Sequence, residues 1–345
     1  MSNYTELSNT IEYLTQPGHG ILAADESTNT IGKRFQSIGI ENTEIHRRDY
    51  RLLLAETPNL EKSVHGVILF EETLEQSNKQ GLSIPQIFAD QGVLPGIKVD
   101  KGTIPLVNTD NELITQGLDA LTERLTHYKK LGAKFAKWRN VYTISETTPS
   151  AQAMIANAEV LARYAAICQS LGIVPIVEPE VLMDGDHSIE ACAAATEMVL
   201  HEVFKALYVH QVDLENILLK PNMITAGKNH PIDTSTDDIA FMSIGVFRQH
   251  VPAAVPGIFF LSGGQTPQEA TLHLNTMNSF EPHPWILSFS YGRALQEECL
   301  STWQGHAENK EAAQAALLHR CQLVSQACLG EYDPSQEQKS AKSTA

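Results

Sequence analysis

The chain has 345 residues, of which 42% are hydrophobic and 19% charged, so it has the composition of a globular protein that buries a full core. Its formal net charge of −16 at pH 7 argues against general nucleic-acid binding and against attraction to anionic membranes. Five cysteines without a C-x-x-C pair, an N-terminus without a signal-peptide pattern and the lack of a long apolar run predict a reduced, cytoplasmic protein without structural zinc.

Eight short apolar segments recur along the chain, and most of them end on a polar or charged residue. They are GILAADE (20–26), GVILFEE (66–72), GIKVD (96–100), FAKWR (135–139), VPIVEPE (174–180), NILLKPN (216–222), GIFFLSGG (257–264) and WILSFSYG (285–292). Their hydrophobicity is continuous rather than alternating. This pattern indicates strands that are buried on both faces, as in a parallel sheet.

Segments with helical periodicity lie between these strands. Apolar residues repeat every three to four positions in 118–128 and in 160–171, and a glycine follows each segment. The motif TPQEA (266–270) predicts a helix with Thr266 as its N-cap and Glu269 completing a capping box. Strands that alternate with helices in this way predict a single (β/α)8 barrel with parallel strands.

We expect one barrel domain over residues 1–330 and a flexible C-terminal tail over 331–345, because GEYDPSQEQKSAKSTA is almost free of apolar residues. The alternative fold is an open doubly wound sheet. Its dinucleotide-binding form loses support because no G-x-G-x-x-G motif follows the first predicted strand.

Ionisable and hydroxyl side chains stand at the carboxyl ends of the predicted strands, where barrels of this kind carry their active sites. They are Asp25, Glu71, Lys98, Lys137, Arg139, Glu178, Glu180, Lys220, Ser262 and Ser290. Residues two apart on a strand share a face, so the two cations of FAKWR point the same way, as do the two glutamates of VPIVEPE. Any one of these residues alone is commonly a solvated rim residue. Charges of both signs around one barrel mouth favour a functional site.

The lysine at the end of NILLK raises a specific question, because a buried ammonium group must be paired, neutralised or used. A lysine whose pKa is lowered by burial or by a neighbouring cation attacks a ketone and forms a Schiff base. We therefore predict amine catalysis by Lys220, with the lysine and arginine of FAKWR as the neighbouring cations. The protonated imine lets an adjacent carbon–carbon bond break, and Glu178, Glu180 and Asp25 are candidates for the acid–base steps.

The last two predicted strands lead into FLSGG and FSYGR, which predict a phosphate site. Backbone N–H groups of glycine-containing loops after the seventh and eighth strands commonly hold phosphate in such barrels. Arg293 is expected to add a charge-assisted pair. The segment LSGGQ also occurs in ABC-transporter ATPases, but the chain contains no G-x-x-x-x-G-K-[ST] nucleotide loop.

With these motifs the chain resembles class I fructose-1,6-bisphosphate aldolases, the Schiff-base enzymes of glycolysis and gluconeogenesis. The resemblance runs from about residue 4 to about residue 334 and rests on GILAADESTNTIGKR, GVILFEETL, GIKVDKG, FAKWR, GIVPIVEPE, LLKPNM, LSGGQ and SYGRALQ. It implies a lyase that reversibly cleaves fructose 1,6-bisphosphate to dihydroxyacetone phosphate and glyceraldehyde 3-phosphate. It also implies a homotetramer that needs neither a cofactor nor a metal.

The resemblance assigns roles to single residues. Lys220 becomes the Schiff-base lysine, Glu178 the principal proton acceptor and donor with Glu180 beside it, and Asp25 and Lys137 assist carbinolamine formation and bond cleavage. One phosphate is expected at Ser262, Gly263, Gly264, Ser290, Gly292 and Arg293. The other is expected at Ser27, Thr30, Lys33, Arg34, Lys98 and Arg139. Animal members end in a tyrosine on a mobile tail, whereas SQEQKSAKSTA has none, so we expect residues 335–345 to be catalytically passive.

Three other functions remain as alternatives. A metal-dependent aldolase would need ligands such as those of DGDHS (184–188), where Asp186 or Ser188 is also placed to cap the next helix. A pyridoxal-phosphate enzyme also uses a lysine imine and a phosphate loop, but paired carboxylates and two anion sites favour a bisphosphate substrate. A non-enzymatic binding module would leave the charged strand ends without a purpose. The motifs do not distinguish fructose 1,6-bisphosphate from fructose 1-phosphate, since both share the ketose-phosphate end.

Overall fold

The computed structural model describes residues 3–280 and 282–337. Its strands, in chain order, are β1 (Gly20–Ala24), β2 (Val64–Leu69), β3 (Leu94–Lys98), β4 (Thr103–Pro105), β5 (Leu113–Thr115), β6 (Phe135–Tyr142), β7 (Val174–Val181), β8 (Leu218–Leu219), β9 (Gly257–Phe260) and β10 (Ile286–Tyr291). Strands β4 and β5 form a separate antiparallel hairpin, and the other strands form a closed parallel barrel in chain order. Pairing of β10 with β1 closes the barrel.

The helices surround this barrel. In chain order they are α1 (Asn3–Leu14), α2 (Thr28–Ser37), α3 (Glu44–Ala55), α4 (Glu71–Glu75), α5 (Ile84–Asp90), α6 (Leu121–Lys130), α7 (Ala151–Ser170), α8 (Ile189–Val209), α9 (Thr236–His250), α10 (Pro267–Asn278), α11 (Arg293–Trp303) and α12 (Lys310–Ala327). Short 3₁₀ helices cover Leu60–Lys62, Leu214–Asn216, Ala307–Asn309 and residues 334–337. None of the helices in the described residues is long and apolar enough to span a bilayer.

The predicted (β/α)8 barrel is confirmed, and every predicted apolar segment overlaps one barrel strand. The predicted capping box at the start of α10 is also present. The sequence pattern does not reveal the β4–β5 hairpin, because strands of three residues are too short to show a period. Helix α6 begins at Leu121 and not at Leu118, because Ala120 has a left-handed φ of 52°.

The inward faces of the barrel strands change from apolar to charged along the strand direction. On β7 the alternate residues Val174 and Ile176 belong to the apolar interior cluster, and Glu178 and Glu180 come next on the same face. Helix α1 packs its own apolar residues into that cluster. On this strand the buried charges therefore lie toward the carboxyl end.

The chain beyond α12 differs from the predicted tail. Tyr332 is buried, its backbone N–H donates to Asn275 Oδ1 at 2.9 Å, and its hydroxyl donates to Glu337 at 2.7 Å. Arg320 donates two hydrogen bonds to the same carboxylate, at 2.7 and 2.5 Å. Residues 331–337 are thus held by contacts, and the predicted tail does not begin at residue 331. The rest of that tail lies outside the described residues.

Candidate active site

A cavity of about 920 Å³ opens at the carboxyl ends of the barrel strands. Each side chain or glycine that the sequence analysis assigned to catalysis or to phosphate binding lines this cavity. The parallel barrel explains the convergence, because all strand ends of one polarity meet at one rim.

Two buried lysines and two buried carboxylates form a continuous chain of ion pairs at the centre of the cavity. Lys220 Nζ lies 3.2 Å from Glu178 Oε1, and Lys137 Nζ lies 3.0 Å from Glu178 Oε2 and 2.8 Å from Asp25 Oδ2. All four residues are at most 9% exposed. Because two positive groups face two negative ones, the cluster is neutral as a whole, which makes the burial of four charges tolerable.

The positions of the four ion-paired residues on or directly after the barrel strands explain how their side chains are held. Lys137 and Glu178 lie on adjacent paired strands, β6 and β7, on faces turned into the barrel. Lys220 directly follows β8, and its backbone N–H donates to Val177 O at 2.8 Å, which extends the strand ladder to the lysine itself. Asp25 directly follows β1. These four side chains are therefore attached to barrel strands or to the residue that directly follows a strand.

The charges in the cluster stabilise one another. Burial alone would raise the pKa of Asp25, but the charges of Lys137 and Lys220 outweigh it and hold the pKa well below its usual value. Burial likewise opposes the charge on Lys137, but Asp25 and Glu178 raise the pKa of this lysine far above its usual value. Lys137 is thus a fixed cation. Within the described residues, Lys220 has one carboxylate neighbour where Lys137 has two.

One expectation about the lysine environment needs correction. The sequence analysis assigned Lys137 and Arg139 to Lys220 as neighbouring cations, but Glu178 lies between Lys137 and Lys220. Arg139 pairs with Glu180 at 2.5 Å. Burial would lower the pKa of Arg139, and its pKa is nevertheless raised, with Glu180 as the main cause. The sequence shows which charges share the mouth but not which of them pair.

The two glycine-containing loops after β9 and β10 lie along one side of the cavity. Gly263 and Gly264 have positive φ values of 44° and 88°, and their backbone N–H groups donate to no backbone acceptor among the described residues. Arg293 begins α11, is exposed, and makes no ion pair within the described ranges. Ser290 Oγ is buried and has no hydrogen-bond partner in that same part of the chain. These donors are free to bind an anion.

The second group of predicted phosphate ligands is already engaged with protein groups. Lys98 Nζ donates to Asp100 Oδ1 at 2.5 Å. Ser27 caps α2 by accepting from the backbone N–H of Thr30 at 3.3 Å, and the two hydroxyls lie 3.1 Å apart. An anion at this end would have to compete with these contacts.

Arg34 is placed differently from the expectation. The sequence analysis grouped it with Lys98, but an ideal Cβ on Gly292 would lie only 3.9 Å from Arg34 Nη2. The reason is that β1 pairs with β10, so α2, which follows β1, approaches the loop that follows β10. Arg34 is also ion-paired with Glu26, which a second arginine, Arg51, contacts at 2.6 Å.

Sequence reasoning missed four charged residues of the cavity, namely Glu26, Asp100, Lys101 and Lys228. Asp100 follows Lys98 by two residues, so the same-face rule could have found it. Lys228 stands eight residues beyond Lys220 in a loop without periodicity, and no sequence signal marks it.

The alternative metal site in the loop after β7 has no support in the described residues. No group of three histidine, cysteine, aspartate or glutamate side chains there is arranged to hold a metal ion. Ser188 caps α8 by accepting from the backbone N–H of Ala191, so the helix cap falls to this residue and not to Asp186.

Comparisons with known proteins show the family to which the chain belongs. The family model for class-I fructose-bisphosphate aldolase matches residues 6–345. The chain is 52% identical to aldolase B of Gallus gallus, across 94% of this chain and 90% of that protein. It is 53% identical to a cytosolic fructose-bisphosphate aldolase of Arabidopsis thaliana, across 95% and 91%.

A solved structure gives the same result for the fold. Fructose-bisphosphate aldolase from Plasmodium falciparum, in a complex with TRAP and a small-molecule inhibitor, superposes with a TM-score of 0.95 at 50% identity, with 96% of each chain covered. The resemblance read from the motifs is thereby confirmed. The chain belongs to the class-I fructose-bisphosphate aldolase family.

Proposed function

We propose that this chain cleaves fructose 1,6-bisphosphate reversibly to dihydroxyacetone phosphate and glyceraldehyde 3-phosphate, with Lys220 as the residue that forms the Schiff base. The observation that carries the assignment is the buried chain of ion pairs from Lys220 through Glu178 and Lys137 to Asp25. It holds one lysine next to a single carboxylate, and the rest of the cluster balances the charge. Family membership supports the same reaction and a place in glycolysis.

The reaction begins when the amine of Lys220 attacks the ketone carbon of the substrate. Lys220 must first lose a proton, and Glu178 Oε1, at 3.2 Å, is the nearest carboxylate oxygen to receive it. Glu178 then returns this proton to the carbinolamine hydroxyl, which leaves as water, so that a protonated imine and an ionised Glu178 remain. Lys137 is held as a cation beside Glu178 and Asp25, and its charge helps to keep Asp25 in the anionic form.

Bond cleavage follows from the imine. Electrons of the adjacent carbon–carbon bond move into the protonated imine, and the hydroxyl proton of the departing aldehyde must go to a base. Glu178 is our candidate for that base, because its two oxygens face both lysines; Glu180 and Asp25 are the alternatives. Protonation of the resulting enamine and hydrolysis of the imine release dihydroxyacetone phosphate and restore Lys220.

The two phosphates are assigned to opposite sides of the cavity. The free donors of the Gly263–Gly264 loop, Ser290 and Arg293 favour the phosphate of the ketone end. The side around Ser27, Thr30, Lys33, Lys98 and Arg139 is assigned to the aldehyde end. Arg34 lies between the two sides, next to Gly292.

The finer assignments of cellular context rest on the relatives. A cytosolic Arabidopsis relative supports a cytoplasmic enzyme, and class-I membership supports a metal-independent reaction that serves gluconeogenesis as well as glycolysis.

A homotetramer would use exposed apolar side chains on α7, α8 and α9. These are Ile155, Met198, Tyr208, Val209 and Phe241, which are 46–84% exposed. Such side chains favour burial against other subunits.

Cleavage in the presence of a chelator tests this proposal. We expect purified protein to release glyceraldehyde 3-phosphate from fructose 1,6-bisphosphate at the same rate with and without excess EDTA, measured by a coupled dehydrogenase assay. The family's class-I chemistry needs no Lewis acid, because the protonated imine is the electron sink. Loss of activity in EDTA that added Zn²⁺ restores would favour the metal-dependent alternative, and the absence of any cleavage would refute the proposal.

A further inference from the structure

Lys228 is a charged residue of the cavity to which neither the sequence motifs nor the reaction assigns a role. It lies on the long connection between β8 and α9 and lines the cavity together with the Ser262–Gly264 loop. We propose that Lys228 is a further phosphate-binding residue, whose ammonium contacts the ketone-end phosphate of the substrate together with Arg293 and the backbone of Gly263 and Gly264. This inference rests on the proposed function, because it names an additional contact for that same substrate.

The backbone around Lys228 is fixed to a neighbouring loop. Gly227 donates to His187 O at 2.8 Å, Lys228 to Met183 O at 2.9 Å and Asn229 to Gly185 O at 2.9 Å. Three consecutive backbone hydrogen bonds thus join this segment to the loop that follows β7. The Lys228 Cα is held at the rim of the cavity, and only the side chain is free to move.

The side chain of Lys228 reaches Gly264 in the loop that follows β9. An ideal Cβ on Gly264 would lie 2.6 Å from Lys228 Cε and 2.8 Å from Lys228 Nζ. The ammonium group therefore rests against Gly264 in the space that any other residue would fill. Gly264 also has a φ of 88°, which L side chains rarely adopt. The backbone conformation thus favours glycine here, and the end of the Lys228 side chain occupies the space that the glycine leaves open.

The ammonium group of Lys228 is only weakly neutralised by the protein. Its partner is Asp184, whose Oδ1 lies 3.3 Å away, and the two side chains are 46% and 70% exposed. An exposed pair of this kind contributes little to stability, so a phosphate group with a charge of about −2 near neutral pH displaces Asp184 readily. In contrast, Lys98, at the other end of the cavity, is held by a carboxylate that is 4% exposed.

Few other positively charged side chains are available to the ketone-end phosphate. Arg293 has no acidic partner in the described residues, but the substrate phosphate is a dianion, and the other arginine near Gly292, Arg34, is already paired with Glu26, whose side chain is 6% exposed. A lysine on a flexible stem suits this position, because its ammonium acts as a point charge without a fixed geometry. Lys228 therefore supplies the second positive charge, and Asp184 holds it at the rim until the phosphate arrives.

The test compares charge at residue 228 in the full-length enzyme. We expect Lys228→Met to weaken the binding of dihydroxyacetone phosphate five- to tenfold and to raise KM for fructose 1,6-bisphosphate by a similar factor, with a smaller change in kcat. Product inhibition by glyceraldehyde 3-phosphate should stay at the wild-type level. Lys228→Arg keeps the charge and should bind within about twofold of wild type. Asp184→Asn frees the ammonium and should strengthen binding of dihydroxyacetone phosphate.

Two comparators make the result specific. Lys205→Met removes an exposed lysine of α8 that pairs only with Glu202 in the described residues, and it should change nothing. Arg293→Ala should show the same preference for the ketone-end phosphate as Lys228→Met. The inference is wrong if the wild-type enzyme is active and the Lys228→Met variant binds dihydroxyacetone phosphate with the wild-type affinity. If it weakens only glyceraldehyde 3-phosphate, Lys228 serves the other phosphate and the inference is wrong as well. If wild-type protein itself neither binds nor cleaves these sugar phosphates, the proposed function fails first.

Discussion

Lys220→Arg should abolish the cleavage of fructose 1,6-bisphosphate, with kcat at least about a thousandfold below wild type, equivalent to ~4 kcal/mol of activation barrier. Arginine keeps the positive charge beside Glu178, but its guanidinium stays protonated and forms no imine. The substitution therefore separates the charge of Lys220 from its chemistry. Steady-state kinetics at saturating substrate measure the effect.

The control for this variant is structural. Circular dichroism and the thermal midpoint should stay near the wild-type values, because the introduced guanidinium still gives Glu178 a cationic partner. Lys205→Arg, at an exposed position of α8, is the matched substitution and should leave kcat unchanged. A folded Lys220→Arg enzyme that retains more than a tenth of the wild-type kcat would contradict the assignment of Lys220.

Glu178→Gln should lower kcat by about a hundredfold or more while leaving substrate binding largely intact, since general acid–base catalysis contributes at least about that factor. The amide has the shape of the carboxylate but cannot take up a proton. It also replaces one of the two carboxylate oxygens that face Lys220 and Lys137, at 3.2 and 3.0 Å, with an NH2 group that cannot accept a hydrogen bond. The KM and kcat for fructose 1,6-bisphosphate, measured together, distinguish the loss of proton transfer from the loss of binding.

Glu180→Gln is the comparison for that result. Glu180 lies two residues further along the same strand face, but it pairs with Arg139 and with neither lysine of the central cluster. We expect its substitution to affect kcat less than Glu178→Gln does. Near-normal kcat in Glu178→Gln would move the acid–base role to Glu180 or Asp25.

The sequence predicts the barrel and the composition of its mouth for a clear physical reason. Buried parallel strands require continuous apolar runs, and residues two apart must share a face, so the pattern of FAKWR and VPIVEPE already places four charges inside the rim. That a lysine follows an apolar strand is equally visible in the chain. These features depend on neighbours along the sequence.

The pairing of those charges could not be predicted in the same way. Whether Glu178 faces Lys137, Lys220 or both depends on strand register and side-chain reach across the barrel, and the structure shows that it bridges the two. Arg34 lies next to Gly292 because β10 closes the barrel beside β1. This pairing joins residues that are far apart in the sequence, so local patterns do not reveal it. Lys228 lies in a loop, and a loop has no repeating pattern of apolar residues from which the position of its side chains could be predicted.

Borohydride trapping tests the central claim most directly. Reduction of the enzyme in the presence of dihydroxyacetone phosphate converts an imine into a stable amine, and peptide mapping by mass spectrometry then identifies the labelled lysine. The predicted result is stoichiometric label on Lys220 with loss of activity. Label on Lys137 or on another lysine, or full activity after reduction with no label at all, would contradict the account.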